Sequence, residues 1–325
     1  MRRSGACCRR KRAQISGKRS ACDYIGTERV RTVAVTYNDL YLDARRVLKE
    51  TGVEQAQLEA RELLCFASGK DRTQLIHDLP LYVSEGVEKR FRELLGRRVK
   101  GEPVAYLLGE WEFYGLTLDI SRDVLIPRPD TETLVERGIL FVRDLPEGTR
   151  VLDLCAGSGC VGLAVADNCP NTQVILGEWS ESALRVCRNN IRRCGLSGQV
   201  QAAQVDALEP PPRVMRDFDL ILCNPPYIPT LDIRRLDVSV RDYEPHLALD
   251  GGEDGLKFYR AIAKKWKCAL KPGGKLAFEV GYDQAKAVEA ILKEQSFTDL
   301  QATRDPGLHW RVVEGNTQNV STGDA

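Results

Sequence analysis

The sequence lacks any hydrophobic run that could cross a membrane, although apolar residues make up 43% of its 325 positions. A transmembrane helix needs about 20 consecutive apolar residues, so we expect no membrane association. An ordinary apolar fraction over this length is typical of a globular protein with about two domains.

The sequence also lacks paired cysteines. Its 11 cysteines are scattered; Cys7 and Cys8 are adjacent, and Cys155 and Cys160 lie in a glycine-rich segment. No CxxC pattern occurs, which argues against a disulfide framework and a zinc site. We therefore expect free thiols, no bound metal and a reducing, cytoplasmic location.

The chain has little net charge, but that charge is unevenly distributed. Residues 1–34 hold ten basic and two acidic residues, so they carry +8; because the whole chain carries +1, the remaining 291 residues carry −7. An acidic body is poorly suited to nucleic-acid phosphates, so we expect no stable nucleic-acid binding. The tail, expected to be disordered, is a segment without a role, a transit peptide to an organelle, or an arm for nucleic acid or the ribosome.

The sequence divides into further segments by its periodicity. Residues 35–110 show helical spacing, for example at Leu40, Ala44 and Leu48, and predict a helical domain that packs against or recognises a partner. Alternation in residues 111–124 predicts a β-hairpin linker. A catalytic domain is predicted at residues 125–315, followed by a polar tail at 316–325.

Strands and helices alternate from Arg150 onward, which is typical of an α/β protein with a doubly wound parallel sheet. The first strand contains Asp153 and leads into a glycine-rich turn, residues 155–159 (Cys-Ala-Gly-Ser-Gly). The second strand ends in Glu178, about 20 residues later, where a carboxylate can accept both hydroxyls of a ribose. We expect the last edge strand at residues 309–313.

The most informative motif is Asn224-Pro225-Pro226-Tyr227, which follows the apolar run of residues 218–223. Two prolines cannot continue a strand, so the motif marks a strand's carboxyl end, where open α/β sheets bind ligands. The Asn224 side-chain oxygen and the Pro225 carbonyl form a pair of acceptors for one NH2 group, and Tyr227 offers a flat face. This pattern favours methylation of a planar –NH2 group.

Two cofactors compete for the glycine-rich turn. Gly157, Gly159 and Gly162 match the GxGxxG fingerprint of NAD sites, which hold a pyrophosphate at a helix N-terminus. Asp153 beside them disfavours a pyrophosphate and favours S-adenosylmethionine, which has a sulfonium cation and an ammonium group. Asp206, at the third strand end, is either an acceptor for the adenine amine or a turn cap.

Residues 125–132 (Leu-Ile-Pro-Arg-Pro-Asp-Thr-Glu) precede the alternating region. Arg128 lies between two prolines on an extended stretch, and is either solvated or part of a rim over the pocket. Thr131 or Asp130 is expected to cap a helix that begins near Thr133.

Together these motifs resemble the protein-(glutamine-N5) methyltransferases of the PrmC/HemK family over about residues 36–314; residues 125–132, 153–159, 218–228 and 244–252 carry the likeness. The resemblance implies a seven-strand Rossmann-like class I S-adenosylmethionine-dependent methyltransferase domain, joined by a β-hairpin to a small helical N-terminal domain. It also implies that the substrate is the Gly-Gly-Gln glutamine of class I peptide chain release factors. We expect the protein to be a monomer.

The resemblance also assigns roles to individual residues. The implied cofactor-binding residues are Asp153, Cys155, Ala156, Gly157, Ser158, Gly159, Glu178, Asp206, Ala207 and Asn224. The implied catalytic residues are Asn224, Pro225 and Tyr227, and the implied substrate-binding residues are these three with Pro226 and Arg128. Cys155-Ala156, Glu178 and Ala207 depart from the family pattern, in which Gly-Thr, Asp and an aromatic residue are common at these places.

Two other functions stay open. Asn-Pro-Pro-Tyr also occurs in adenine-N6 DNA methyltransferases and some ribosomal RNA enzymes, so an amino methyltransferase acting on nucleic acid is the alternative enzyme. A non-catalytic or NAD-binding module would leave Asn224-Pro225-Pro226-Tyr227 unexplained.

Overall fold

The structure is a computed structural model that describes residues 34–318. Our predictions for residues 1–33 and 319–325 therefore lie outside the described residues. Within the described part of the chain, no helix is both long and apolar enough to cross a membrane.

The described chain begins with five helices: α1 (Tyr37–Glu50), α2 (Ala56–Ser68), α3 (Arg72–Asp78), α4 (Glu85–Val99) and α5 (Val104–Leu108). Side chains fix three of the helix starts, because Thr36, Asp71 and Ser84 each accept a hydrogen bond from a backbone N–H of the first turn. The periodic apolar positions pack into one core that includes Leu40 and Phe91. Sequence periodicity did not reveal α3, which is short and buries only Leu75.

A β-hairpin follows the helices. Strands β1 (Glu110–Phe113) and β2 (Leu116–Asp119) pair antiparallel. Tyr114 and Gly115 between them both have positive φ, which is the geometry of a two-residue type I′ turn.

The remaining chain forms helices on a single sheet. Its elements are α6 (Glu132–Val142), β3 (Thr149–Leu154), α7 (Cys160–Asn168), β4 (Thr172–Glu178), α8 (Glu181–Arg193), β5 (Val200–Gln204), β6 (Phe218–Cys223), α9 (Val238–Arg241), α10 (Lys257–Lys265), β7 (Leu270–Glu279), α11 (Ala285–Glu294), β8 (Thr298–Arg304) and β9 (Trp310–Asn316). The strand order is β5-β4-β3-β6-β7-β9-β8, and β9 runs antiparallel to both its neighbours. This confirms the predicted seven-strand fold.

The predicted position of the last edge strand is wrong. β9 lies inside the sheet, between β7 and β8, and β8 forms the edge. The sequence of β8 is polar and alternates weakly, because an edge strand buries few of its side chains, so sequence analysis did not find it.

The sheet's topology positions the site. β3 and β6 are neighbours at its centre, and their apolar residues are fully buried, which explains why both strands appear as apolar runs in the sequence. The chain moves outward from β3 through β4 to β5, then returns to begin β6 on the other side of β3. Ligands of open α/β sheets bind at such a switch point, beyond the carboxyl ends of the strands.

Candidate functional site

A cavity of about 320 Å³ lies at the carboxyl ends of β3 to β6. The predicted site residues that line it are Arg128, Asp153, Cys155, Ala156, Gly157, Ser158, Glu178, Asp206, Ala207, Asn224 and Pro226. Gly159, Pro225 and Tyr227 are not part of the lining. The fold therefore brings most of the predicted residues to one place.

The turn between β3 and α7 has a tightly constrained backbone. Cys155 has a φ of +64°, and Gly159, which starts α7, has a φ of +82°. A Cβ at Gly159 would lie 2.7 Å from Leu176 Cδ1, so only glycine fits this position without a shift. Cys155 instead adopts, as a non-glycine residue, a conformation that glycine adopts freely.

Asp153 is 1% exposed, and its Oδ2 accepts a hydrogen bond of 2.8 Å from the backbone N–H of Gly162 in the first turn of α7. Burial raises the pKa of Asp153 to about 7, although the Gly162 bond opposes that rise. No ion pair to Asp153 occurs among the described residues. A cationic ligand in the cavity would favour the ionised form of this carboxyl.

Glu178 ends β4 and holds the turn in place. Its Oε2 accepts from Gly157 N at 2.9 Å, and its Oε1 accepts from Ser180 N at 2.8 Å. Each carboxylate oxygen keeps a second lone pair, so the side chain can still accept hydroxyl groups from the cavity. The glutamate side chain, longer than that of the aspartate in the family pattern, reaches the backbone of Gly157.

Asp206, Ala207 and two aromatic residues also line the cavity. Asp206 Oδ1 accepts from Leu208 N at 2.8 Å, which is the turn-cap geometry, and its side chain also lines the cavity. Sequence analysis missed Trp179, which is 54% exposed, and Phe258 in α10; both line the cavity. They supply aromatic surface to the cavity, and Ala207, at a position where the family pattern has an aromatic residue, does not; only the fold places Phe258 here.

Asn224 lies at the end of β6 and contacts the segment that precedes α6. Its Nδ2 donates to Thr131 Oγ1 at 3.4 Å, and Thr131 is 2% exposed. The expected cap is wrong: one turn of 3-10 helix (Pro129–Thr131) leads directly into α6, and neither helix has a side-chain cap bond. The Thr131 hydroxyl faces Asn224 instead, so Thr131 is a site residue that the sequence did not reveal.

Tyr227 packs behind the cavity rather than along it. Its backbone carbonyl accepts a hydrogen bond of 2.9 Å from Gln284 Nε2, and its ring lies against the core between the sheet and α10 and α11. Burial raises its pKa, so the phenol stays neutral at physiological pH. Pro225 and Pro226 are both buried, and Asn224 is the residue of this motif with a polar side chain that lines the cavity.

Arg128 joins two of the motifs that the sequence singled out. It pairs with Glu244, whose side chain is 1% exposed, and Glu244 Oε2 also accepts from Ile126 N at 3.2 Å. Burial raises the pKa of Glu244, and the charge of Arg128 opposes that rise. Arg128 therefore forms part of the cavity rim, anchored to the loop of residues 244–252.

A second, more open cleft of about 590 Å³ separates α8 from residues 119–123 and carries Arg185, Arg188 and Arg192. None of the predicted site residues lines it, so the candidate site is the cavity at the strand ends. In residues 34–318 the eight cysteines are free, and no group of three or more His, Cys, Asp or Glu side chains could hold a metal ion.

Comparisons with known proteins agree with the fold. Residues 39–109 match the family model of the PrmC N-terminal domain, and residues 135–237 match the methyltransferase small domain. The latter implies a methyl donor. Among solved structures, the hMettl16 catalytic domain is 14% identical with a TM-score of 0.54, covering 71% of this chain and 84% of that one, which supports the fold alone.

Curated relatives match over most of the chain. The release factor glutamine methyltransferase of Geobacter sulfurreducens is 42% identical over 83% of this chain and 93% of its own length. The protein of the same name from Clostridium acetobutylicum is 38% identical over 85% of this chain and 96% of its own length.

Proposed function

Because the chain belongs to the family of release factor glutamine methyltransferases, we propose that it transfers a methyl group from S-adenosylmethionine to a glutamine side-chain amide nitrogen (N5). The acceptor is the glutamine of the Gly-Gly-Gln motif of class I peptide chain release factors. The observation that supports this most directly is the position of Asn224, at the end of a central strand and in the wall of the same cavity as the glycine-rich turn.

The cavity fits S-adenosylmethionine. Asp153 is a buried carboxyl of raised pKa, which a cationic ligand would return to its charged form. Glu178 offers acceptors for ribose hydroxyls, while Asp206, Trp179 and Phe258, which also line the cavity, would border the adenine. When bound, this cofactor supplies a methyl group on a sulfonium cation.

The residues of the motif would activate an amide nitrogen by holding it. Such a nitrogen is a poor nucleophile, because its lone pair is delocalised into the carbonyl. The Asn224 side-chain oxygen and the Pro225 carbonyl would accept its two N–H groups, which lets the nitrogen become pyramidal and directs its lone pair. Catalysis is then positioning and electrostatic stabilisation. Methyl transfer leaves the amide nitrogen positively charged and acidic, and it then loses one proton to water, so no strong base is needed.

A methyl-transfer assay tests the proposal directly. The protein is incubated with methyl-labelled S-adenosylmethionine and, separately, with a release factor, the same factor with its Gly-Gly-Gln glutamine replaced by alanine, DNA, or ribosomal RNA. We expect label in the intact release factor alone. Label in nucleic acid only, or undiminished label in the substituted factor, would overturn the proposal.

A further inference from the structure

A buried carboxyl, that of Glu279, lies at the strand end next to Asn224. In the parallel register of β6 and β7, Cys223 pairs with Phe278, so Asn224 and Glu279 are the next residues on the two strands. Glu279 is 2% exposed, and its Oε2 is a buried atom without a hydrogen-bond partner. The proposed chemistry does not use this group, and burying it is costly.

Thr131 lies between Glu279 and Asn224. Its hydroxyl has one hydrogen to donate and lone pairs to accept with. Thr131 Oγ1 accepts from Asn224 Nδ2 at 3.4 Å, and hydrogen bonding from the Thr131 side chain lowers the pKa of Glu279, which puts the hydroxyl beside that carboxyl. An ionised carboxylate can only accept, so the chain of bonds has one direction: Asn224 N–H to Thr131, and Thr131 O–H to Glu279.

This direction determines the orientation of the Asn224 amide. If Nδ2 faces Thr131, Oδ1 must face the opposite way, and Asn224 lines the cavity on that side. We propose that Glu279 is a positioning residue for methyl transfer, which acts through Thr131 to hold the Asn224 side-chain oxygen toward the substrate amide. This inference rests on the proposed function.

The charges around Glu279 make the hydrogen bonding between Glu279, Thr131 and Asn224 sensitive to pH. Burial raises its pKa to about 7, while hydrogen bonding from Thr131 and Tyr227 and the charge of Arg311 oppose the rise, and Asp130 adds to it. The other titratable groups nearby are Tyr259 and Cys160, whose own pKa values are raised, so both are neutral near pH 7. Arg311 also pairs with Asp130 and Asp305.

Protonation of Glu279 would remove the fixed direction of these hydrogen bonds. A neutral Glu279 can donate to Thr131, and the Asn224 amide is then free to turn its NH2 group toward the substrate. The fraction of protein with a correctly oriented Asn224 therefore falls as the pH drops below about 7.

The test compares Glu279→Gln, Thr131→Val and Thr131→Ser with the wild type. Glutamine keeps the shape of Glu279 but has no charge, valine removes the Thr131 hydroxyl, and serine keeps it. We expect kcat on a release factor to fall about 10- to 100-fold in the Gln and Val variants and to be restored in the Ser variant. The dissociation constant of S-adenosylmethionine should stay within about twofold of the wild-type value, because the proposed cofactor contacts come from Asp153, Glu178 and Asp206 rather than from these two side chains.

The pH profile separates positioning from a purely structural role. Wild-type kcat should decline as the pH falls through about 7, and the decline should be absent in Glu279→Gln. Wild-type kcat and an unchanged pH profile in Glu279→Gln, or no rescue by serine at position 131, would overturn the inference.

A measurement on the protein without substrate separates failure of the Glu279 inference from failure of the proposed function. With carboxyl-labelled glutamate, the Glu279 resonance, assigned by its loss in Glu279→Gln, should titrate near pH 7 in the free protein and at higher pH in Thr131→Val. An unchanged titration in Thr131→Val contradicts the positioning chain whatever the substrate is. If the wild type methylates no release factor, the proposed function fails.

Discussion

The two sides of the cavity are held together in different ways. On the cofactor side, formed by the ends of β3, β4 and β5, Asp153, Glu178 and Asp206 accept backbone N–H groups that lie 9, 21 and 2 residues away in the chain. On the substrate side, Asn224 contacts Thr131 over 93 residues and Arg128 contacts Glu244 over 116 residues. The polar contacts on the proposed cofactor side therefore join residues closer in sequence than those on the proposed substrate side.

Removal of the Asn224 amide should break the substrate side alone, with the largest effect. We expect Asn224→Ala to lower kcat about 100- to 1,000-fold, because it removes one of two proposed acceptors for the reacting NH2 group. The dissociation constant of S-adenosylmethionine, measured by calorimetry, should change little, because the cofactor side keeps its local contacts.

A matched variant sharpens this result. Asn224→Asp keeps an acceptor oxygen but loses the N–H that Thr131 accepts. Its kcat should therefore lie between that of Asn224→Ala and that of the wild type. Normal turnover by Asn224→Ala would contradict the proposed mechanism.

The rim contact should have the next largest effect, on stability. Arg128→Ala leaves Glu244 buried without its ionic partner, so we expect the free energy of unfolding to fall by about 1–3 kcal/mol in urea titrations. Arg122→Ala is the control, because its partner Glu102 keeps a second arginine, Arg97. Equal losses in the two variants would show that the Arg128–Glu244 pair contributes no more to stability than the Arg122–Glu102 pair, whose carboxylate keeps a second arginine.

The same contrast explains what the sequence could predict. Local features located Asp153 and Glu178: a strand, a glycine-rich turn and an acid at the next strand end. Asn224 was found because two prolines mark a strand end. Thr131 and Phe258 were missed as site residues, since what places them in the site is packing between segments far apart in sequence.

The pH dependence of cofactor binding tests the cofactor side. Below its pKa of about 7, Asp153 carries a proton that a cationic ligand must displace, so binding should weaken as the pH falls. The dissociation constant of S-adenosylmethionine should rise by up to about tenfold per pH unit between about pH 7 and 5.5.

Asp153→Asn should remove this slope, whereas Glu279→Gln should leave it unchanged, since Glu279 belongs to the substrate side. A flat wild-type profile over this range would mean that Asp153 does not face the cation.

The smallest effect is expected at Cys155. A non-glycine residue in the left-handed region, such as Cys155, lowers the free energy of unfolding by about 1–2 kcal/mol. Replacing it with glycine removes this cost, but the greater freedom of glycine in the unfolded chain takes back about 0.5–1 kcal/mol. Cys155→Gly should therefore raise the free energy of unfolding by about 0.5 kcal/mol, and Cys155→Ala, which keeps the Cβ, should not. If alanine stabilised the protein as much as glycine, the gain would come from loss of the thiol. Unchanged kcat in both would fit a strain confined to the local turn.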